Sequence, residues 1–404
     1  MLKGIIFDMD GVLINSEPFH YRIWKETLRR RGIQIEYEVY KACIGSTVGF
    51  LMKLLHEHYG VSLQDTALVE EMREIKEEMM AKEGYPPLIP YVKELLEKLC
   101  GSGYQLAVAS SSPYAYIEKV TRYWDIQKYF TCLVSGEFVE HPKPAPDVFL
   151  KAAGEMGLSP EECLVVEDSE NGCKAAKNAG ITCVAYFNPD SGKQDLGSAY
   201  MIVEGYEEID GAFMEKVYCH SRHLPATVCE TSRLLIREMK KEDIPRLMEI
   251  CGQETSRDAC EGVAKPLTEE LEGFDAYRTY MYELCDMGYW CVLKKDTGEL
   301  IGRAGIEPKL WNHKMTVVEL GYIIDERYRK NGYAFEACRG IIAEAVKRGA
   351  YYLHCRIKSS NTASINLAKK LGFEPIDYKL EDDGENMEVW RYTCGQRENP
   401  VQYP

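Results

Sequence analysis

The strongest constraint on the fold is a repeated pairing of short apolar runs with polar residues at their ends. Gly4-Ile5-Ile6-Phe7 is followed by Asp8-Met9-Asp10-Gly11, Gln105-Leu106-Ala107-Val108-Ala109 by Ser110-Ser111-Ser112-Pro113, and Cys163-Leu164-Val165-Val166 by Glu167-Asp168-Ser169. Runs this short and this apolar read as strands buried on both faces. Three further runs, at 131–134, 182–186 and 200–203, extend the series, with helical segments between them. Alternating strands and helices build a parallel sheet, and such a sheet carries its site at the carboxyl ends of the strands. The expected fold is α/β, a Rossmann-like parallel sheet with its polar clusters gathered along one edge.

Those clusters suggest a chemistry. Side chains at i and i+2 of a strand share a face, so Asp8 and Asp10 point into one crevice. Two carboxylates that close repel each other unless a cation or a shared proton intervenes. Asp8 can then attack a phosphoryl group while Asp10 handles the proton. A bare D-x-D is more often a polar strand end turning into a loop; the other clusters shift the balance. Ser110, at a strand end, has a small hydroxyl suited to phosphate oxygens, whereas Ser112 before Pro113 has the form of a helix N-cap. Lys143 sits among Pro142, Pro144 and Pro146, in a stiff loop that holds an ammonium ready to neutralise phosphate. Glu167 and Asp168 are the oxygen donors that magnesium takes. Between the first two strands, residues 16–85 carry apolar positions at helical spacing (Ile23, Trp24, Leu28; Phe50, Leu51, Leu54, Leu55), broken near Gly32, Gly45 and Gly60. This block reads as a helical cap, closed by Pro86-Pro87 and Pro90.

Taken in order, these signals over residues 1–215 resemble the haloacid dehalogenase-like (HAD) phosphohydrolases. The subgroup suggested has a helical cap after the first motif and includes β-phosphoglucomutase and phosphoglycolate phosphatase. Asp8 and Asp10 match the first motif, Ser110 the second, Lys143 the third, and Glu167 with Asp168 the fourth; Asn15-Ser16-Glu17 and His20 match the lead into the cap. The resemblance implies an aspartyl-phosphate on Asp8, Asp10 as acid and then base, and magnesium held by Asp8, Asp10 and Asp168 with Glu167 beside them. Lys143 and Ser110 would grip the phosphoryl oxygens of a small phosphorylated metabolite. Mutase caps carry an arginine shortly after the position of Gly45, and Val48 stands there. A phosphatase is therefore expected, with a phosphomutase as the alternative.

The pattern loosens over 204–230, and residues 216–229, with Pro225, read as a linker. A new domain is expected over 230–394, with a tail at 395–404. Its opening, Thr231-Ser232-Arg233-Leu234-Leu235-Ile236-Arg237, contains a strand, and further strands are expected at 290–294, 301–306 and 317–324, joined by turns such as Asp296-Thr297-Gly298-Glu299. Arg329-Lys330-Asn331-Gly332-Tyr333-Ala334 then opens a helix, and backbone N–H groups at a helix N-terminus attract anions. With Asn361-Thr362-Ala363-Ser364 and Lys370-Leu371-Gly372-Phe373, this series resembles the GNAT N-acetyltransferases, a mixed α+β fold. That likeness implies acetyl-CoA cradled by Arg329, Lys330, Asn331, Gly332, Tyr333 and Ala334, contacted by Asn361, and an amine-bearing acetyl acceptor. Glu319 is the candidate base. The family's usual tyrosine acid is matched by Ala368, so Tyr333, Tyr378 and Tyr392 stand unranked as proton donors. An alternative is a domain that binds acetyl-CoA as a regulatory signal without chemistry.

A formal charge of −15 argues against nucleic acid or anionic membranes as general partners. Fifteen cysteines, odd in number and without a C-x-x-C pair, fit reduced thiols in a cytoplasmic protein rather than a zinc site or a secreted framework. The apolar N-terminus is broken by Asp8 and Asp10, and neither a signal peptide nor a membrane span is expected.

Overall fold

The computed structural model describes residues 1–404 except 42–43, 45–47, 61–65, 254–265, 313–314, 379–386 and 396–404, together with the side chains of 48–52 and 66–67. The chain forms two units, Met1–Arg222 and His223–Pro404.

The first unit begins with β1 (Gly4–Phe7), every residue of which is buried. Four cap helices follow: α1 (Glu17–Arg30), α2 (Tyr37–Lys41), α3 (Val48–Tyr59) and α4 (Thr66–Glu83). In α1, Glu17 in the first turn and Arg29 and Arg30 in the last complement the helix dipole, and Pro18 is tolerated where an N–H has no helical partner. Its buried stripe of Phe19, Ile23, Trp24 and Leu28 divides between two apolar clusters. One holds Trp24, Leu28, Ile35, Tyr40, Leu55 and Leu68; the other holds Phe19, Ile23 and Ile75. The α/β layer continues through α5 (Val92–Gly101), β2 (Gln105–Ser110), α6 (Tyr114–Tyr123), β3 (Phe130–Ser135), α7 (Asp147–Glu155), β4 (Cys163–Glu167), α8 (Glu170–Asn178), β5 (Thr182–Tyr186), β6 (Met201–Val203) and α9 (Gly211–Ser221).

The strands lie in the order β3-β2-β1-β4-β5-β6, all parallel. The chain runs outward from β1 in one direction and then, from β4, in the other. That reversal opens a crevice at the carboxyl ends of β1 and β4, where doubly wound sheets bind ligands. Register completes the placement: Phe7 is level with Val108 on β2 and Val166 on β4, so Asp8 emerges beside Ala109 and Glu167.

Residues 216–229 are not a linker. They hold the end of α9 and most of a strand, β7 (Thr227–Glu230). Asp210 caps α9 by accepting from the Phe213 N–H at 2.9 Å, and Met214, Val217, Tyr218 and Cys219 are buried along it. The apolar stripe is interrupted by Glu215, Lys216 and His220, which hid its period from a composition-based reading. The tail at 396–404 lies outside the described residues.

The second unit continues with β8 (Leu234–Arg237), α10 (Ile244–Gly252), α11 (Leu267–Tyr277), a π-helical segment (Arg278–Leu284), β9 (Gly288–Lys294), β10 (Leu300–Trp311) and β11 (Met315–Ile324). It ends with α12 (Tyr333–Lys347), β12 (Tyr352–Lys358), α13 (Thr362–Leu371), β13 (Glu374–Ile376) and β14 (Met387–Thr393). The mixed sheet has the order β13-β14-β12-β11-β10-β9-β8-β7. The main core lies where α12 and α13 meet the sheet (Leu320, Ile341, Leu353, Ala368), while α10 packs Leu247 against Cys291 and Leu293, and Ile250 against Ile323.

One junction differs from the rest. Between β10 and β11 every position from Gly302 to Trp311 is paired, but β11 and β12, the parallel pair, meet only at Glu319 and His354. Beyond that point the two strands diverge, and the sheet opens as a V.

Candidate active sites

In the first unit, four loops deliver their polar residues to one place. Asp8 follows β1 and is buried. Lys143 reaches it from the proline-rich loop, its Nζ 2.5 Å from Asp8 Oδ1 and 2.6 Å from Glu167 Oε1, and it also donates to the Ala109 carbonyl at 3.3 Å. The Lys143 side chain is 7% exposed, so this ammonium is held inside the crevice rather than solvated. Burial opposes its charge, but Asp8 and Glu167 outweigh that and push it above the ordinary lysine range.

Glu167 and Asp168 take different places. Glu167 gives one oxygen to Lys143; its other oxygen accepts from the Asp168 N–H (2.8 Å), the Ser169 N–H (3.0 Å) and the Ser169 hydroxyl (3.0 Å). A Cβ at Gly172 would fall 1.7 Å from Glu167 Oε1, so the carboxylate lies against the first turn of α8, where the helix dipole favours it. Glu167 thus anchors Lys143 and the loop after β4. Asp168 instead turns into the crevice, taking a short hydrogen bond from the Ser191 hydroxyl. It lies so close to Gly11, at φ +81°, that a Cβ there would sit 2.0 Å from Asp168 Oδ2.

The Asp8 carboxyl is pushed up to about 7: burial raises it most, Lys143 opposes that, and Glu167 and Asp10 add to the rise. Asp168 is raised well above the carboxylate range by burial, then by Glu167 and Asp8. Asp10 accepts from the Ser112 hydroxyl on Oδ2 at 2.7 Å, while its Oδ1 is buried with no hydrogen-bond partner. Crowded carboxylates destabilised by each other, with an unpartnered buried oxygen beside them, fit a hard divalent cation. Among the described residues no three His, Cys, Asp or Glu side chains converge at ligand spacing.

Ser110, fully buried, accepts from the Ser112 N–H at 3.1 Å. Ser112 does not cap α6: the N-cap is Pro113, and the Ser112 hydroxyl is spent on Asp10. The sequence reading also passed over the loop after β5. There Ser191 holds Asp168, Asn188 donates to the Gly11 carbonyl at 3.0 Å, and Asp190 accepts from Asn15 at 2.7 Å. The only signal was that this loop, too, follows a parallel strand. Two further residues face Asp10: Lys76 of α4, its Nζ 3.8 Å from the Tyr116 ring centroid, and Tyr116 of α6, whose buried hydroxyl lacks a partner. Burial lowers the Lys76 ammonium's pKa, with Asp10 opposing it. Gly45 and the side chain of Val48 lie outside the described residues.

In the second unit the V between β11 and β12 opens into a cavity of about 800 Å³, lined by Leu320, Gly321 and Tyr322 on one strand and Cys355, Arg356 and Ile357 on the other. The Arg329–Ala334 loop is held in shape rather than free. Lys330 (φ 62°) and Gly332 (φ 82°) both take left-handed backbone, and Gly332 is the N-cap of α12. Asn331 donates to the Tyr328 and Arg329 carbonyls, and Arg329 donates to the Ile324 carbonyl at 2.9 Å. The Thr-Ser-Arg opening is bound to the same helix. Glu336 accepts from the Thr231 and Ser232 hydroxyls and the Arg233 N–H, and pairs with the Arg233 guanidinium, which in turn reaches the Asn331 carbonyl. Asn361 caps α13, accepting from the Ser364 N–H at 3.1 Å, so its carbonyl oxygen is already engaged. Of the tyrosines left unranked, Tyr333 packs against Arg233, Tyr378 against Trp311, and Tyr392 against Phe373. The tyrosines lining the cavity are Tyr277, Tyr289 and Tyr322. Tyr322 shares a hydrogen bond with Ser364, and burial pushes it up to about 12.

One unit is a doubly wound sheet with acids and a lysine at its switch point; the other is a mixed sheet that splits into a V. Residues 5–186 match the haloacid dehalogenase-like hydrolase model and residues 233–374 the GNAT acetyltransferase domain model. The chain is 34% identical over 182 residues to the fructose-1-phosphate phosphatase YqaB of Escherichia coli, covering 45% of this chain and 94% of that one. It is 29% identical over 184 residues to the phosphorylated carbohydrates phosphatase of Thermotoga maritima, covering 45% of this chain and 82% of that one. Among solved structures, CbbY from Rhodobacter sphaeroides in complex with phosphate matches with a TM-score of 0.47 at 26% identity, covering 53% of this chain and 99% of that one. The chain belongs to the haloacid dehalogenase-like hydrolases and carries a GNAT domain behind that unit. It is accordingly a phosphoric monoester hydrolase and an N-acetyltransferase. No helix among the described residues is long and apolar enough to cross a membrane.

Proposed function

We propose that the first unit hydrolyses a small sugar phosphate through an aspartyl-phosphate on Asp8, with magnesium, and that the second acetylates an amine from acetyl-CoA, both in the cytoplasm. The observation that carries the first half is Lys143 bridging Asp8 and Glu167 inside the crevice, with Asp10 and Asp168 alongside. Asp8 attacks phosphorus and the ester P–O bond breaks, with Asp10 protonating the departing oxygen. Water then attacks the aspartyl-phosphate as Asp10 takes its proton, which frees phosphate and restores Asp8. The Ser112 bond holds Asp10 by one oxygen and leaves the other for the proton. Lys143 supports the ionised form of Asp8 and, with Ser110, faces the phosphoryl oxygens, so catalysis is mostly positioning and charge. Asp8 and Asp168, with Asp10 beside them, would hold magnesium, whose charge offsets that of the carboxylates and phosphate. The relatives named above act on fructose 1-phosphate and on phosphorylated carbohydrates. The same class is the proposed substrate here, and one pathway linking a phosphorylated amino sugar or related amine to both units accounts for their fusion.

In the second unit the V admits acetyl-CoA, and the Arg329–Ala334 loop receives its pyrophosphate at the N-terminus of α12. The deciding experiment is phosphate release by the full chain from a panel of sugar phosphates with magnesium, beside Asp8→Asn, together with calorimetric titration of coenzyme A. Release abolished by Asp8→Asn, and binding of coenzyme A that weakens in Arg329→Ala, are expected. Release that survives Asp8→Asn refutes the nucleophile, and undetectable coenzyme A binding refutes the second half.

A further inference from the structure

We propose that Glu307, rather than Glu319, is the carboxylate that binds the acceptor's ammonium group and removes its proton; this rests on the acetyl-CoA reading above. The two glutamates are register partners on β10 and β11, and both line the cavity at the V. Like charges directly opposite are unfavourable unless each is countered. Each is countered, but in ways that leave them unequal.

Glu319 is committed. Its Oε1 takes a short hydrogen bond from the buried Trp311 indole and lies 2.9 Å from Arg356 Nε, with side-chain exposures of 11% and 17% for the pair. Removing one partner from a buried pair is costly, because it leaves the other charge uncompensated. Both contacts fall on Oε1, and the guanidinium that counters this carboxylate is enclosed, so an incoming ammonium meets a charge that is already neutralised.

Glu307 is held on one side by a buried phenol and on the other by a more exposed lysine. Tyr277 donates to its Oε1 at 3.0 Å. Tyr277 is itself fixed, because its hydroxyl accepts from the Tyr289 N–H at 2.7 Å, so the carboxylate is aimed by a pinned phenol. The second oxygen, Oε2, lies 3.1 Å from the Lys309 ammonium, whose side chain is 38% exposed. Exposed pairs of this kind hold weakly. Lys309 therefore stands where a substrate ammonium can replace it.

The position also suits the transfer. Tyr289 lies across Gly321 so closely that a Cβ there would be 2.2 Å from its hydroxyl oxygen, and Gly321 is two residues past the single β11–β12 pair, where the strands begin to part. Tyr289 on β9, Gly305 on β10 and Gly321 on β11 are level with one another, one alternate position along the sheet from Glu307 and Glu319. The glycine at 321 lets the Tyr289 ring lie across β11, and an amine on Glu307 and a thioester entering the V meet beside that ring. Glu307 takes one proton from the ammonium, the freed lone pair forms the C–N bond, the C–S bond breaks, and the nitrogen's second proton goes to the departing thiolate. The acceptor is in this way a primary amine that arrives as a cation.

The test uses the full chain and follows thiol release from acetyl-CoA with glucosamine, ethanolamine, spermidine and a short peptide bearing a free N-terminus. Glu307→Gln is expected to lower kcat/KM for the best amine by about 100-fold or more, the usual range for loss of a general base, with coenzyme A affinity unchanged. Lys309→Ala is expected to lower KM several-fold. Glu319→Gln is expected to lower the melting temperature while costing less than tenfold in kcat/KM. A folded Glu319→Gln that abolishes transfer while Glu307→Gln retains it overturns the proposal. Coenzyme A binding with no transfer to any of the four amines overturns it and leaves the binding reading intact. Absence of coenzyme A binding overturns both.

Discussion

Replacing Lys143 with methionine isolates the contact on which the first site is built. The substitution keeps most of the side-chain volume and removes only the ammonium. Two carboxylates then lose their cation at positions where Asp8 and Glu167 side chains are 9% and 1% exposed. Breaking a buried ion pair from one side costs about 3–5 kcal/mol. Asp8 has an escape, because its carboxyl already titrates up to about 7 with Lys143 in place, and without the lysine it takes a proton instead. Glu167 stays in place, since one of its oxygens accepts from the Asp168 and Ser169 N–H groups and the Ser169 hydroxyl. The low end of the range is therefore expected near neutral pH, about 3 kcal/mol. For a unit of this size that is about 6–12 °C in melting temperature. The pH dependence has a definite sign. Below pH 7 Asp8 is largely protonated in both proteins. Above it the parent ionises with Lys143 beside it, while the variant must keep its proton, so the gap widens by up to about 1.4 kcal/mol per pH unit. The assay is calorimetric unfolding of the full chain in chelator, from pH 6 to 9, with Lys151→Met as the control. Lys151 pairs with Glu155 at 3.4 Å on an exposed helix face, and its loss is expected to matter by less than about 0.5 kcal/mol. A Lys143→Met protein that melts within a degree of its parent at all pH values would refute the buried bridge.

Other outcomes follow from the same geometry. Gly11→Ala is expected to abolish phosphate release and destabilise the first unit, since φ is +81° and the new Cβ meets Asp168; comparable melting and turnover would refute this placement. Ser191→Ala removes the hydroxyl that holds Asp168 and is expected to raise the magnesium concentration for half-maximal activity by about tenfold. In the second unit, Glu336 lies well below the usual carboxylate range, at about 2, because the Thr231, Arg233 and Ser232 bonds outweigh burial. A depressed carboxylate stabilises the fold above its unfolded pKa, so that stability should fall away between pH 4.5 and about 2, by about 1–2 kcal/mol after allowing for solvent screening. Glu336→Gln is expected to flatten that limb in an acid unfolding titration.

The strand ends that carry Asp8, Ser110 and Asp168 were legible because buried strands leave a clear mark, short apolar runs that stop abruptly at polar residues, and Lys143 was legible from the prolines around it. The N-terminal helical block was legible from its three-to-four spacing. What stayed hidden depended on partners distant in sequence. Nothing local distinguishes Ser112 as a cap from Ser112 as a donor to Asp10, 102 residues away. Ser191 and Asn188 belong to a loop without an unusual composition, and only the sheet order places it beside Asp168 and Gly11. Glu319 illustrates the same limit: its strand position was readable, but its commitment to Trp311 and Arg356 arises from the hairpin with β10 and the parallel neighbour β12. Helix α9 was missed for a different reason, since three polar residues interrupt its apolar stripe and a loosened pattern was taken for a connection.

The sheet order of the first unit also sets a timetable. Its central strand, β1, is made first, yet its neighbours β2 and β4 begin at residues 105 and 163. At roughly 5–20 residues per second, β1 waits on the order of ten seconds or more for its second neighbour to be synthesised. During that interval Ile5, Ile6 and Phe7, all buried in the finished unit, lack at least one of their two neighbouring strands. The nucleophile is attached to this waiting segment, and its contact with Lys143 closes a loop of 135 residues. A ribosome-bound chain stopped before β4 is thus expected to be sticky and inert, with the catalytic crevice among the last features of the unit to assemble.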